Sequence, residues 1–300
     1  MTSALTKAKL FLAMTACLSA CHLPPPAGER AESHTLAFAG LTRTYRVYAP
    51  QTRAPSPALL LVLHGWQGSA GEIEQRSRYG FNRLADRDGF IVVYPDAVAG
   101  QWHSGHPGEL ATADDVSFLS HLIDELGRRY HVDAKRVYVT GFSNGASMTY
   151  RLACEQPDRI ASIAPVSGGL AQGLMPACAA VSHRPIPLLV IHGTEDPIVA
   201  FDSGEREGNI AYWVRRNGCM TTPTITPLPD RDPGDGTQTR VETYPNCQDG
   251  ADVKLYAIAG GGHHWPGGDE PLFREPHGRT PRDFDGATVI WDFLKAHPMP

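Results

Sequence analysis

Gly141-Phe142-Ser143-Asn144-Gly145 sets a serine between two glycines, after the apolar run Val137-Tyr138-Val139 and before a helix-compatible stretch from Ala146 to Leu152. A serine hydroxyl becomes a nucleophile when a base takes its proton and donors hold the charge that develops on the attacked carbonyl oxygen. A strand–turn–helix setting suits that chemistry. It lifts Ser143 from the sheet edge on a strained turn, and Gly141 and Gly145 let strand and helix nearly touch. The start of the helix then directs N–H groups and partial positive charge toward the developing oxyanion. The structural alternative is a glycine-bracketed turn whose serine only caps the helix.

A nucleophile on such a turn is followed in chain order by a carboxylate and then a histidine. His192-Gly193-Thr194-Glu195-Asp196 follows an apolar run at 187–191, and a carboxylate just past the C-terminal end of a strand lies where such sheets build sites. Asp196 is the expected acid, with Glu195 as the fallback, and His192 reads as a structural hydrogen-bonding residue beneath the acid loop. Gly260-Gly261-Gly262-His263-His264-Trp265 follows a run at 254–258, and its glycines permit a tight loop that drops an imidazole over Ser143. His263 and His264 compete for that place, because adjacent residues cannot both face the serine. A rate that falls at acid pH is expected, as the base takes up a proton.

Two backbone N–H groups are expected to hold the oxyanion. One is Asn144, directly after the nucleophile, and the other is Trp66 in His64-Gly65-Trp66, which follows an apolar run at 58–63. Each such donor contributes about 3 kcal/mol to the transition state. His64 reads as a residue tying loops together. Trp66, Trp102 and Trp265 are candidates to line a cleft that stacks a phenolic or sugar ring, with ordinary packing as the alternative, above all for Trp102.

These residues need a frame that brings distant segments together. Apolar runs at 45–48, 58–63, 90–94, 136–139, 160–163, 187–191 and 254–258 read as strands, several apolar on both faces. Helical patterns separate them at 70–88, 145–154, 206–216 and 286–296. Val116, Leu119, Ile123, Leu126 and Tyr130 also keep helical spacing, with Asp114 and Asp115 at the positive end. The alternation predicts an α/β fold with a mostly parallel central sheet and helices on both faces. Residues 221–240, rich in Pro, Asp, Gly and Thr, read as a loop or excursion rather than a domain linker.

The combination of His64-Gly65-Trp66, Asp114-Asp115-Val116, Gly141-Phe142-Ser143-Asn144-Gly145, Ala164-Pro165-Val166-Ser167-Gly168, His192-Gly193-Thr194-Glu195-Asp196 and Gly261-Gly262-His263-His264-Trp265-Pro266-Gly267 resembles the polyhydroxybutyrate-depolymerase-like esterases. These are α/β hydrolases that also include feruloyl and acetylxylan esterases, and the resemblance runs from about residue 40 nearly to the C-terminus. It implies an α/β-hydrolase fold and selects Asp196 as acid and His263, two residues before Trp-Pro-Gly, as base. It implies a carboxylic-ester substrate, either linked to plant polysaccharide or a short-chain hydroxyalkanoate polyester, and neither metal nor organic cofactor. Asn144 after the nucleophile resembles the feruloyl-esterase-like branch, and no appended domain follows residue 300, which makes insoluble granules the less expected substrate. His264 departs from the pattern, a small residue being more usual there.

Composition narrows the remaining possibilities. The chain has 300 residues, 42% hydrophobic, enough for one large core. Its 27 Lys+Arg against 32 Asp+Glu give no basic excess for nucleic acid. Residues 1–20, with Lys7 and Lys9 before a short apolar stretch, read as a signal segment of the lipoprotein type ending at Cys21, the expected lipidation site; an ordinary secretory signal is the alternative. Residues 21–38 read as a tether and 39–298 as one catalytic domain outside the cytoplasm, held to a membrane only through the lipid. Cys154, Cys178, Cys219 and Cys247 then meet an oxidising compartment. Three pairings are possible; the local pairs Cys154–Cys178 and Cys219–Cys247 are favoured, and they also resemble the family's pattern. A zinc site lacks the usual ligand spacing. The functional alternatives to an esterase are a serine peptidase or acyl transferase on the same fold, and an inactive glycan-binding surface lipoprotein. Oligomeric state has no signature in the sequence.

Overall fold

The structure is a computed structural model that describes residues 30–181, 184–201, 205–268 and 277–300. Its strands are β1 (Glu32–Phe38), β2 (Leu41–Tyr48), β3 (Leu59–Leu63), β4 (Ile91–Pro95), β5 (Val137–Phe142), β6 (Ser162–Val166), β7 (Leu188–Gly193), β8 (Thr224–Pro227), β9 (Gln238–Tyr244) and β10 (Val253–Ala259). They form one sheet in the order β1-β2-β4-β3-β5-β6-β7-β10-β9-β8. From β4 to β10 all neighbours are parallel, while β1, β2, β9 and β8 are antiparallel additions at the two edges.

Every residue of β3 to β7 is buried. A strand loses all its side chains from water only when both sheet faces are covered. The helices that do so are α1 (Ala70–Arg76), α2 (Gly80–Asp88), α3 (Asp115–Tyr130), α4 (Asn144–Glu155), α5 (Met175–Val181), α6 (Glu205–Arg216) and α7 (Gly286–Lys295). Leu59, Leu61, Val93, Val139 and Val190 pack in one layer with Leu119 of α3, Met148 of α4 and Trp213 of α6. Leu60, Val62, Val92, Tyr138 and Leu189 pack in the other with Ile73 of α1, Phe81 of α2 and Trp291 of α7. Side chains thus alternate between two apolar layers, with the period of two that a strand imposes. The parallel strands also bring the loops after β3, β5, β7 and β10 to one end of the sheet, where open α/β sheets form their clefts.

Three sequence expectations are corrected. The stretch 70–88 is two helices, not one: Arg78 and Tyr79 have φ of 52° and 55°, a left-handed break between α1 and α2 made by residues that are neither glycine nor proline. The segment 221–240 contains β8 and the start of β9; β8 is exposed at every position, so its composition is that of a loop. The expected tether 21–38 overlaps β1, which pairs with β2 through the turn Ala39-Gly40, both at positive φ. Such a turn matches the twist of a hairpin, and β1 is half exposed, which hid it. The signal segment 1–20, Cys21 and the first part of the tether lie outside the described residues.

Candidate active site

β5 ends at Phe142, and Ser143 makes the sharp turn into α4 with φ 55° and ψ −119°. That conformation is costly for a residue with a side chain and persists only where the surroundings enforce it. Here they do: the Ser143 N–H donates to Val166 O at 3.0 Å, and its carbonyl accepts from Ser147 N at 3.0 Å. A Cβ on Gly141 would strike Gly145 O, and one on Gly145 would strike the carbonyls of Leu63 and His64. Both flanking glycines are therefore steric requirements of the turn.

The loop after β3 passes over this turn. A Cβ built on Gly65 lies 3.3 Å from Phe142 Cδ1 and 3.4 Å from Ser143 Cβ, so the backbone leading into Trp66 runs alongside the serine. His64 anchors the loop from below. Its Nδ1–H donates to Gly65 O at 2.7 Å and its Nε2 accepts from Ala97 N at 3.0 Å, a pattern that requires the neutral ring. Burial holds His64 below the ordinary imidazole pKa, in keeping with that tautomer.

Asp196 sits in the turn after β7 and His263 in the loop after β10, and the two are joined directly: His263 Nδ1–H donates to Asp196 Oδ2 at 2.7 Å. The other carboxylate oxygen accepts from Ile198 N at 2.9 Å and Val199 N at 2.8 Å. Burial by itself would raise the Asp196 pKa, but the donors from His192, His263 and Val199 outweigh it and hold the carboxyl well below the usual range. His263 and Ser143 line one cavity of about 650 Å³, together with Trp66, Gln75, Arg76, Phe142 and His277. The competing histidine is placed differently. His264 is buried, bonds Gly278 O through Nε2 at 3.1 Å, and is lowered by burial to about 4. Glu195, the fallback acid, is turned outward toward Arg279 at 3.8 Å.

Of the proposed cleft tryptophans, two are corrected. Trp102 is 0% exposed; its Nε1–H donates to His64 O at 3.0 Å, so the ring braces the loop from within the core. Trp265 is 2% exposed and packs edge-on against Phe81. Trp66, 62% exposed, is the tryptophan that lines the cavity. Neither burial nor exposure is written in a tryptophan's position in the sequence.

Sequence reasoning also missed what surrounds Asn144. Its side chain accepts from Trp102 N at 2.8 Å and donates to Trp102 O at 3.1 Å, tying the loop after β4 to the turn at Ser143. Asp115 is not simply a helix-end charge. Asp114 caps α3 by accepting from Ser117 N at 3.0 Å, whereas Asp115 is buried, paired with Arg43 at 2.7 Å, and accepts from His103 N at 2.9 Å. The same loop thus has a second anchor. A second cavity of about 540 Å³ adjoins the first at Ser143 and Ile198 and is lined by His106, Glu109, Asn144, Ser147, Gly169 and Gln172. The disulfides are Cys154–Cys178 and Cys219–Cys247, the local pairs.

A family described as Phospholipase/Carboxylesterase matches residues 106–217. Over 295 residues the chain is 34% identical to a protein of Nocardia uniformis subsp. tsuyamanensis named putative esterase NocK, covering 90% of this chain and 84% of that one. The chain belongs to the esterase family of α/β hydrolases. It is a carboxylic-ester hydrolase. The esterase is also 32% identical to the bifunctional acetylxylan esterase/xylanase XynS20E of Neocallimastix patriciarum and 32% identical to feruloyl esterase B of Piromyces equi. These matches cover 75% and 81% of the esterase but only 31% and 42% of the two relatives. Among solved structures, acetyl xylan esterase from Aspergillus awamori aligns with TM-score 0.62 at 19% identity, over 78% of the esterase and 94% of that chain, which shows the shared α/β-hydrolase fold.

Proposed function

We propose that Ser143, His263 and Asp196 are the nucleophile, base and acid of the esterase, and that Trp66 and Asn144 supply the oxyanion N–H groups. The observation that carries this reading is the buried 2.7 Å bond from His263 to Asp196 beside a cavity that His263 shares with the strained Ser143. His263 takes the Ser143 proton as the hydroxyl attacks the ester carbonyl. The alcohol leaves with that proton, and water repeats the sequence to free the acid. Asp196 remains ionised throughout, holding the imidazole with its proton on Nδ1 and stabilising the cation that forms.

The two cavities meet at the reacting carbon and divide the substrate. The leaving alcohol receives its proton from His263, so it occupies the cavity that contains His263, Trp66, Gln75 and Arg76. The acyl group occupies the adjoining cavity, with Asn144, Ser147, Glu109 and Gln172. An exposed indole beside polar side chains offers a stacking face and hydrogen bonds to an alcohol that is a sugar. We therefore read the substrates as feruloyl or acetyl esters of plant polysaccharide, in line with the names of the relatives. Short-chain hydroxyalkanoate polyester is the alternative ester.

The esterase domain begins at β1, and the segment 1–20 with Cys21 directs it out of the cytoplasm. Two disulfides support that location. The test of the chemistry is turnover of p-nitrophenyl acetate by wild type and Ser143→Ala, with an expected loss of about 10⁴-fold or more. Release of ferulate and acetate from arabinoxylan, against 3-hydroxybutyrate from its polymer, then tests the substrate. Comparable activity in the Ser143 variant, amide turnover in place of ester turnover, or glycan binding without turnover each overturns the reading.

A further inference from the structure

Asp196 is held by a turn, and that turn is held by a residue the reaction scheme has not used. His192, fully buried at the end of β7, places Nε2 2.8 Å from Val199 O and 3.4 Å from Asp196 Oδ2. Both neighbours are acceptors, so the Nε2 proton must be present and is shared between them. Val199 is gripped from both sides: its N–H donates to Asp196 Oδ1 and its carbonyl accepts from His192. The carboxylate thus rests against a strand of the sheet through His192.

With the proton on Nε2, Nδ1 of His192 is a buried acceptor, and no partner bonds it among the described residues. One buried donor close by is in the same condition. Among the described residues the Ser167 hydroxyl has no hydrogen-bond partner, and Ser167 is 1% exposed. Val166 pairs with Ile191 across β6 and β7, and Ser167 N donates to Ile191 O at 2.9 Å, so Ser167 and His192 occupy the next adjacent positions. On the other side His192 is paired with Ala257, and Phe201 meets its ring edge-on; neither side chain offers a donor. The two groups are complementary but not bonded to each other as placed; a rotation of the Ser167 side chain about its Cα–Cβ bond is what would turn the hydroxyl toward Nδ1.

We propose that His192 is a positioning residue for Asp196, and that the Ser167 hydroxyl, donating to His192 Nδ1, holds the ring in the tautomer that does this. The proposed chain runs from Ser167 through His192 to Asp196, which bonds His263 in the cavity that also holds Ser143. It rests on the triad reading, which Ser143→Ala tests separately.

The experiment compares His192→Leu, His192→Gln and Ser167→Ala with wild type in kcat, KM and the pH profile of kcat/KM, with circular dichroism and melting curves as folding controls. Leucine removes the donor, whereas glutamine carries an N–H at the same reach. His192→Leu is expected to lower kcat by about tenfold or more with KM little changed. Its acid limb should move to higher pH, because a carboxylate with one donor fewer favours the protonated imidazole more strongly. Arg76, His264 and His277 also face His263, and all three are unchanged in these variants. His192→Gln should recover most of the kcat and return the limb toward wild type. Ser167→Ala should move both in the direction of His192→Leu by a smaller factor. An unmoved acid limb in both His192→Leu and Ser167→Ala overturns the proposal, as does a glutamine variant no better than leucine. If His192→Leu does not fold, the glutamine and alanine variants still decide: wild-type kcat and pH profile in Ser167→Ala removes Ser167 from the chain.

Discussion

His263 and His264 are the same side chain one residue apart, and packing gives them different work. His263 bonds Asp196, while His264, which lines the same cavity, bonds Gly278 O and its pKa is pushed down to about 4. In the unfolded chain an imidazole titrates near 6.5, so below that pH the unfolded state binds a proton that folded His264 refuses. Stability attached to His264 is complete above about pH 6.5 and is lost as pH falls toward 4, by up to about 3 kcal/mol. Urea midpoints between pH 7 and 4 should therefore fall less steeply in His264→Gln than in wild type, with kcat at neutral pH reduced only mildly; parallel pH curves count against the assignment. Trp66 calls for a kinetic test. If its exposed ring stacks the alcohol half, Trp66→Ala should lower the ratio of kcat/KM for an acetylated xylo-oligosaccharide to that for methyl acetate by about tenfold. An unchanged ratio removes the indole from the alcohol site. Ser143, Asp196 and His263 could be singled out as candidates because each stands in a motif whose spacing expresses a chemistry, and the structure brings Asp196 and His263 together beside the cavity that holds Ser143. Trp102, Trp265 and the side chain of Asn144 were not, because their partners come from loops tens of residues away.

The central strands could be read because burial on both faces demands uninterrupted apolar residues, and a sequence displays that directly. The edge strands could not. β8 is exposed throughout and β1 is half exposed, and an exposed edge needs only backbone pairing, which almost any side chain permits. The break between α1 and α2 was hidden for a related reason, since the left-handed residues are Arg78 and Tyr79 rather than glycine. Where glycine does mark a constraint, the constraint can be tested. At Gly145, in the first turn of α4, a Cβ meets the carbonyls of Leu63 and His64, which belong to rigid backbone. Gly145→Ala should displace the turn at Ser143 and abolish p-nitrophenyl acetate hydrolysis. Gly127 is also helical, within α3, but a Cβ there meets nothing within 4 Å. Gly127→Ala should stabilise the protein by about 0.5–1 kcal/mol through helix propensity and leave activity intact. A destabilised Gly127 variant, or an active Gly145 variant, contradicts the packing described.

Across the whole molecule, the two disulfides differ in what their loops enclose. Cys154–Cys178 spans 24 residues and links the last turn of α4 to α5, enclosing β6 together with Gly169 and Gln172 of the second cavity. Cys219–Cys247 spans 28 residues and closes the excursion that carries β8 and β9, away from either cavity. Loops of such similar length restrict the unfolded chain by similar amounts, so each pair is worth about 3 kcal/mol. For a domain of this size that corresponds to a melting-temperature loss of roughly 6–12 °C on replacing either pair by alanine. The kinetic consequences differ. If the acyl group occupies the second cavity as proposed, loss of Cys154–Cys178 loosens its wall, so KM should rise along a series of p-nitrophenyl esters of increasing acyl size. Loss of Cys219–Cys247 should lower the melting temperature by a similar amount and leave that series unchanged. Melting curves and acyl-series kinetics on the two double variants decide the matter: equal effects on KM, or an effect confined to the β8–β9 pair, would place the acyl half of the substrate elsewhere than beside Asn144 and Gln172.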